Sequence, residues 1–153
     1  MIVEGTYPLP GTPDVIWNLL MDPEVLVKAM PGTKELVRTA PDRYEGVMRI
    51  GIGPITAAEF ELVILLTDMK EPHSYAMQID GKGRAGFTRG TASVELSPDG
   101  AGSMMHYSAD LQVGGKIAAV GQRLLDSVSK LMTRQGLEAL NRELQSRLGG
   151  AAV

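Results

Sequence analysis

The sequence predicts an α+β domain in which one long C-terminal helix lies against a curved antiparallel sheet, and three observations carry that prediction. From about Thr33 to Val113 apolar residues recur at period two with turn signals between the runs, the pattern of successive antiparallel strands. From Lys116 to about Leu148 the period becomes 3.6 and no proline interrupts it. Each strand run is apolar on one side only, so the sheet has one wet face and one face that another element must cover.

The elements follow in order. Met1 to Leu9 alternates weakly and meets Pro8-Leu9-Pro10-Gly11, which suggests an edge strand closed by a breaker cluster. Thr12 is placed to cap a first short helix, Pro13 fits its first turn, Asp14 favours the positive end of its dipole, and Val15, Ile16, Leu19 and Leu20 form its apolar stripe. Asp22-Pro23-Glu24 repeats the start signal for a second helix with Val25, Leu26, Ala29 and Met30 on its stripe, stopped by Pro31-Gly32. Six strands are then expected near 34–39, 44–52, 55–67, 74–80, 87–96 and 103–113. Tyr44, Met48 and Ile50 share the inner face with Phe60, Leu62, Ile64 and Leu66, with Tyr75, Met77 and Ile79, and with Met105, Tyr107, Ala109, Leu111 and Val113. The closing helix, roughly 50 Å long at about 1.5 Å per residue, places Ile117, Val120, Leu124, Val128 and Leu131 on one stripe. Gly121 falls within that stripe, where a close approach by a strand or ligand would explain it. The i,i+4 pairs Glu138 with Arg142 and Glu143 with Arg147 suit an exposed outer end. Gly149-Gly150 ends the helix, giving a domain over 1–148 and a short flexible tail at 149–153.

Composition narrows the function classes. At 153 residues, 44% hydrophobic and 22% charged, the chain has the length and balance of one ordinary domain with its own core. With no cysteine, disulfides, thiolate metal sites and cysteine nucleophiles are excluded together. A net charge of -3 provides no basic footprint for a nucleic acid. Met1-Ile2-Val3-Glu4-Gly5 lacks a basic segment followed by an apolar stretch, and no apolar run approaches the roughly 18 residues of a membrane span, so a cytoplasmic location is expected. Nine methionines against two phenylalanines and one tryptophan give a deformable, polarizable interior.

The motifs that suggest chemistry mostly dissolve on inspection. Gly81-Lys82-Gly83-Arg84-Ala85-Gly86 matches the G-x-G-x-x-G string of dinucleotide sites, but a strand rather than a helix follows it, so a hairpin turn is expected. His73 and His106 have no partner at zinc spacing, no G-x-S-x-G elbow exposes a serine, and Glu45, Glu59, Glu61, Glu95 and Asp110 fall on the wet face. No catalytic residue, metal or cofactor is therefore expected. The inner face instead offers tyrosines, whose rings pack apolar surface while their hydroxyls orient a guest. Alternation and helical period bound a ligand cavity by Trp17, Leu26, Met48, Phe60, Tyr75, Met77, Tyr107, Leu111, Leu124 and Val128.

Two helices after the first strand, six further strands and a closing helix is the order of the helix-grip fold of the START-like, Bet v 1-like superfamily. Within it the sequence resembles the CoxG family of carbon monoxide dehydrogenase subunits. The likeness rests on Met30-Pro31-Gly32, on Gly51-Ile52-Gly53-Pro54-Ile55, on Gly81, Gly83 and Gly90, and most specifically on Val113-Gly114-Gly115-Lys116-Ile117-Ala118 running to Gly121-Gln122-Arg123-Leu124-Leu125. It marks Gly53, Pro54, Gly114, Gly115 and Gly121 as structural positions. The resemblance implies a noncatalytic accessory protein holding a quinone or lipid, associated with a molybdenum hydroxylase and with peripheral contact at the inner face of the membrane. Two other roles fit the same architecture: an enzyme of the polyketide cyclase or dehydratase type, and a module that docks on a larger oxidoreductase through the wet sheet face or the outer half of the helix.

Overall fold

The computed structural model describes residues 1–151, with side chains through Leu148. Strand β1 (Ile2–Leu9) leads into helices α1 (Pro13–Met21) and α2 (Pro23–Ala29), followed by β2 (Thr33–Ala40), β3 (Arg43–Ile52), β4 (Ile55–Lys70), β5 (Ser74–Gly83), β6 (Gly86–Asp99) and β7 (Gly102–Gly114). A 3-10 turn at Gly115–Val120 precedes the closing helix α3 (Gln122–Ala151). The seven strands form one antiparallel sheet in the order β1-β7-β6-β5-β4-β3-β2. Consecutive strands from β2 to β7 are neighbours joined by short hairpins, and β1 returns beside β7, so the first strand and the last share an edge of the grip.

Alternation sets the faces as expected. The inward residues Tyr44, Leu62, Ile64, Leu66, Tyr75 and Met105 are buried, while Glu45, Glu59, Glu61, Glu95, His106 and Asp110 are exposed. Gly81 to Gly86 is a hairpin: Gly83 pairs with Gly86 across the two-residue turn Arg84-Ala85, and no helix follows. Thr12 occupies the N-cap of α1 without a side-chain cap bond, whereas the Asp22 carboxylate accepts the Glu24 amide at 2.9 Å and caps α2. Val15 lies on the exposed side of α1.

The C-terminal segment departs from the expected single helix. It is broken at Gly121, whose backbone (φ 99°, ψ 152°) leaves the helical region. That conformation is accessible essentially to glycine alone. A Cβ there would meet no heavy atom within 4 Å, so backbone shape explains this glycine, and no close neighbour is involved. Because the break resets the helical phase, Ile117 and Val120 do not set the stripe of α3. Leu131 turns out to solvent at 43% exposure, and the inward face runs instead through Leu125, Val128, Met132, Leu140 and Leu144.

The outer half of α3 is also not free. Leu140 and Leu144 are buried, and this half packs on α2, closely enough at Gly136 that an added Cβ would approach the Ala29 carbonyl oxygen to 2.5 Å. Charge locks the same contact: Lys28 donates to Glu143 at 3.2 Å, and Arg147 reaches both Asp22 at 3.1 Å and Glu143 at 3.4 Å. The helix runs past Gly149-Gly150 to Ala151. The last two residues of the expected tail lie outside the described residues.

The core divides into two clusters. The larger unites α1, α2 and the outer half of α3 with the sheet around Ile16, Trp17, Leu19, Val25, Tyr44, Tyr75 and Leu144. The smaller gathers Ile52, Ala58, Phe60, Ile117 and Leu125 at the other end of the sheet.

Candidate functional site

Between these clusters, under the first half of α3, lies a cavity of about 400 Å³. That volume falls within the span of small-molecule sites, and its apolar wall is of the kind such sites use. The sheet forms its floor. Leu62, Ile64 and Val94 of the larger cluster reach it from one end; Ile52, Phe60, Ile117 and Leu125 of the smaller reach it from the other. Five of the nine methionines (Met1, Met30, Met48, Met77 and Met132) line it, so the deformable residues concentrate where a guest would press.

The space exists because the floor is made of small residues. On β5, β6 and β7 the lining includes Gly81, Ala92 and Ala109, and Ala92 pairs directly with Ala109. Larger residues on the same strands, such as Tyr75, Leu96 and Met105, lie toward the filled end. A sheet face that carries large residues at one end and small ones at the other leaves a hollow under a straight helix.

Of the ten residues assigned to the cavity from the sequence, Met48, Phe60, Met77, Tyr107, Leu111 and Val128 are brought together on its wall. Trp17 and Tyr75 are not; they form an edge-to-face pair in the larger cluster, with ring centroids 5.3 Å apart at 89°. Leu26 packs on that cluster as well, and Leu124 packs outside the cavity against the hairpin tip. Gly53 at that tip has φ 55°, and a Cβ there would collide with the Leu124 side chain, which ties the β3–β4 hairpin to the start of α3. Gly114 ends β7 beneath the Phe87 ring, and Gly115 turns the chain out of the sheet at φ 76°. Ile52, Leu125, Met132, Gly81 and Ala92 join the wall although sequence reasoning does not assign them to it, and Ala109 joins it from the inner face that alternation gives it. The signal for them is the inward face of β6 and β7, read for its missing side chains as well as its large ones.

The polar groups near the cavity are few and mostly occupied. Ser129 and Thr133 donate their hydroxyls to carbonyls one turn back along α3, at 3.0 and 2.8 Å, so these hydroxyls are satisfied within the helix. The Tyr107 hydroxyl has no hydrogen-bond partner among the described residues. Its neighbour across the ladder is Gly5, and a Cβ on Gly5 would come within 2.5 Å of that hydroxyl, so the phenol lies across β1. The other inward tyrosines, Tyr7, Tyr44 and Tyr75, pack on the larger cluster. The buried Tyr44 hydroxyl donates to the Met21 carbonyl at 2.6 Å, and burial raises its pKa against the lowering effect of Arg38. Burial likewise pushes the Tyr75 hydroxyl far above the usual phenol range. Among the described residues no group of three or more His, Asp or Glu side chains converges to hold a metal ion. No helix there is long and apolar enough to cross a membrane.

Known proteins share the sequence pattern and the fold. The family model of CoxG, a carbon monoxide dehydrogenase subunit, matches residues 5–145. The chain belongs to that family. A crystal structure of a conserved protein from Geobacillus kaustophilus resembles this CoxG-family chain at 31% identity and TM-score 0.88, over 95% of this chain and 96% of that one. A START superfamily protein from Mycobacterium smegmatis shares the fold at 13% identity and TM-score 0.70, over 95% and 97% of the two chains. So does the di-domain ARO/CYC StfQ from the steffimycin biosynthetic pathway, at 14% identity and TM-score 0.67, over 97% of this chain and 52% of that one. These likenesses identify the α+β architecture of the CoxG-family chain as the START-like helix-grip fold. No curated protein matches the chain.

Proposed function

We propose that this CoxG-family protein is a noncatalytic accessory that carries an apolar molecule, a quinone or a lipid, in the cavity between α3 and the sheet. The observation that carries the reading is the methionine- and aliphatic-lined hollow of about 400 Å³ between α3 and the sheet. A hollow walled by methionine and aliphatic side chains offers an apolar guest dispersion contacts on every side. The family name supports an association with a molybdenum hydroxylase of the carbon monoxide dehydrogenase type, for which the carried molecule would be a partner in electron transfer or a membrane component. Peripheral membrane contact would give such a carrier access to its guest.

Similarity to StfQ favours a second reading, an enzyme of the cyclase or dehydratase type. Acid-base catalysis on a bound polyketide needs an ionisable group on the cavity wall. The described lining holds no carboxylate, imidazole or lysine; its ionisable groups are the Tyr107 phenol and the Met1 ammonium, which donates to the Leu111 carbonyl at 2.8 Å, and this favours the carrier. Native mass spectrometry with organic extraction, on protein purified from its own host, tests the proposal. A quinone or lipid at one equivalent is expected; empty protein that also takes up neither quinones nor lipids on titration overturns it.

A further inference from the structure

One side of the cavity is closed by the seam between β1 and α3. There a second hollow of about 370 Å³ opens outward, and it shares Val3, Tyr107 and Thr133 with the cavity behind it. The seam follows from two sequence features. Gly5 carries no side chain across from Tyr107, and the phenol lies over it toward the groove. On α3, Thr133 bonds back to its own helix, and beside it stand Lys130 and Arg134, one turn apart on the outer lip. Both are exposed, and neither makes an ion pair among the described residues, whereas Lys28 of α2 and Arg147 of α3 find carboxylates. Two acidic residues share the groove, Glu4 on the outward-alternating side of β1 and Glu138 one turn beyond Arg134, and neither lies within ion-pair distance of Lys130 or Arg134.

An apolar chamber that opens through a phenol onto two uncommitted cations has the polarity of an amphiphile: tail inward, a hydrogen-bond acceptor at the neck, and an anion outside. We infer that the seam is a head-group subsite, and that the guest it selects is a single-chain molecule ending in a carboxylate, such as a long-chain fatty acid. The tail occupies the cavity, the Tyr107 hydroxyl donates to a carboxylate oxygen, and Lys130 and Arg134 hold the charge. This rests on the cavity reading and adds to it a chemical class and an orientation. Each exposed ion pair contributes little by itself, so the two together should give a carboxylate about a five- to tenfold advantage at low salt, declining as salt screens it.

The test compares dodecanoate, dodecan-1-ol and dodecyltrimethylammonium, which share one tail, by displacement of a fluorescent apolar probe at pH 7. Wild type is expected to bind dodecanoate best and the cation worst. Lys130→Gln combined with Arg134→Gln should bring the dodecanoate-to-dodecanol ratio close to one and leave dodecanol itself unchanged; raising salt should do the same. Equal binding of dodecanoate and dodecanol by wild type, or a preference that survives the double substitution, overturns the subsite while the cavity reading stands. If none of the three displaces the probe, or the probe itself does not bind, the cavity reading fails and the subsite with it.

Discussion

The two ends of the grip are built on one sheet, yet one is filled and the other hollow. At the filled end the chain places two helices, the only tryptophan and the outer half of α3 in a cluster that buries Ile16 and Leu144 completely. At the hollow end a 3-10 turn and the first half of α3 span a floor of glycine and alanine. Close packing is thus concentrated at the end away from the cavity. The sharpest way to break this comparison is one truncation made at both ends. Leu144→Ala, in the filled cluster, should cost about 4 kcal/mol, toward the upper part of the 2–5 range for buried leucines. Leu125→Ala, whose side chain already borders empty space, should cost about 2 kcal/mol or less. Urea unfolding of both variants measures the difference, and equal losses would mean that the hollow is not a weak point of the core.

Adding volume should reverse the order. Gly136→Ala would gain about 1 kcal/mol in an ordinary helix interior. Here the new methyl meets the Ala29 carbonyl, so a net loss of about 1–3 kcal/mol is expected as α2 is pushed from α3. Ala109→Leu, at the hollow floor, should change stability by less than about 1 kcal/mol, because the added atoms enter free volume. The same substitution should abolish uptake of an apolar guest, so thermal unfolding with and without ligand separates packing from binding.

How much of this contrast the sequence shows depends on what kind of signal each part leaves. Strands are legible because alternation and turn residues are local, and they bound β3 to within one residue at each end. Alternation reports which face a residue is on, not which end of the sheet it is near. That is why Trp17 and Tyr75 read as cavity residues although they close the filled end. The break at Gly121 is hidden because Ile117 and Val120 match the helical period by coincidence with α3, and only the positive φ separates them. The burial of Leu140 and Leu144 is written in their spacing, but the charged pairs beside them point to an exposed end and mask it. A cavity is hardest to read, since it is made by the side chains that are missing.

Gly121 provides a test at the border of the two ends. Its φ of 99° is closed to residues with a Cβ, yet there is room for one. Gly121→Ala should therefore cost about 1–3 kcal/mol through backbone strain alone. Because Ile117 on the adjoining turn forms part of the cavity wall, the loss should be accompanied by weaker guest binding. A stable variant with unchanged binding would mean that the 3-10 turn and α3 can be joined in another way.

The smallest effect concerns pH, and it belongs to the filled end. Hydrogen bonding from Lys28 first, and then from Arg147, holds the Glu143 carboxyl below the usual carboxylate range, and the hydrogen bond to Asp22 raises Arg147. Folded Glu143 binds its proton less tightly than the unfolded chain does. Its contribution is therefore fully present above the unfolded carboxylate pKa, and it is lost as pH falls through the lower folded value. Arg147 stays charged across this window and does not add to the slope. Glu143→Gln should lower the melting temperature at pH 7, and the gap from wild type should close at a pH below the folded value of Glu143. High salt should narrow the gap at pH 7, because the three partners are exposed on at least one side. Among the described residues no ion pair lies on the cavity wall, so guest affinity measured for an uncharged ligand should stay flat across the same window. A parallel fall in that affinity would show that the ion pairs at the filled end set the position of the whole of α3, cavity included.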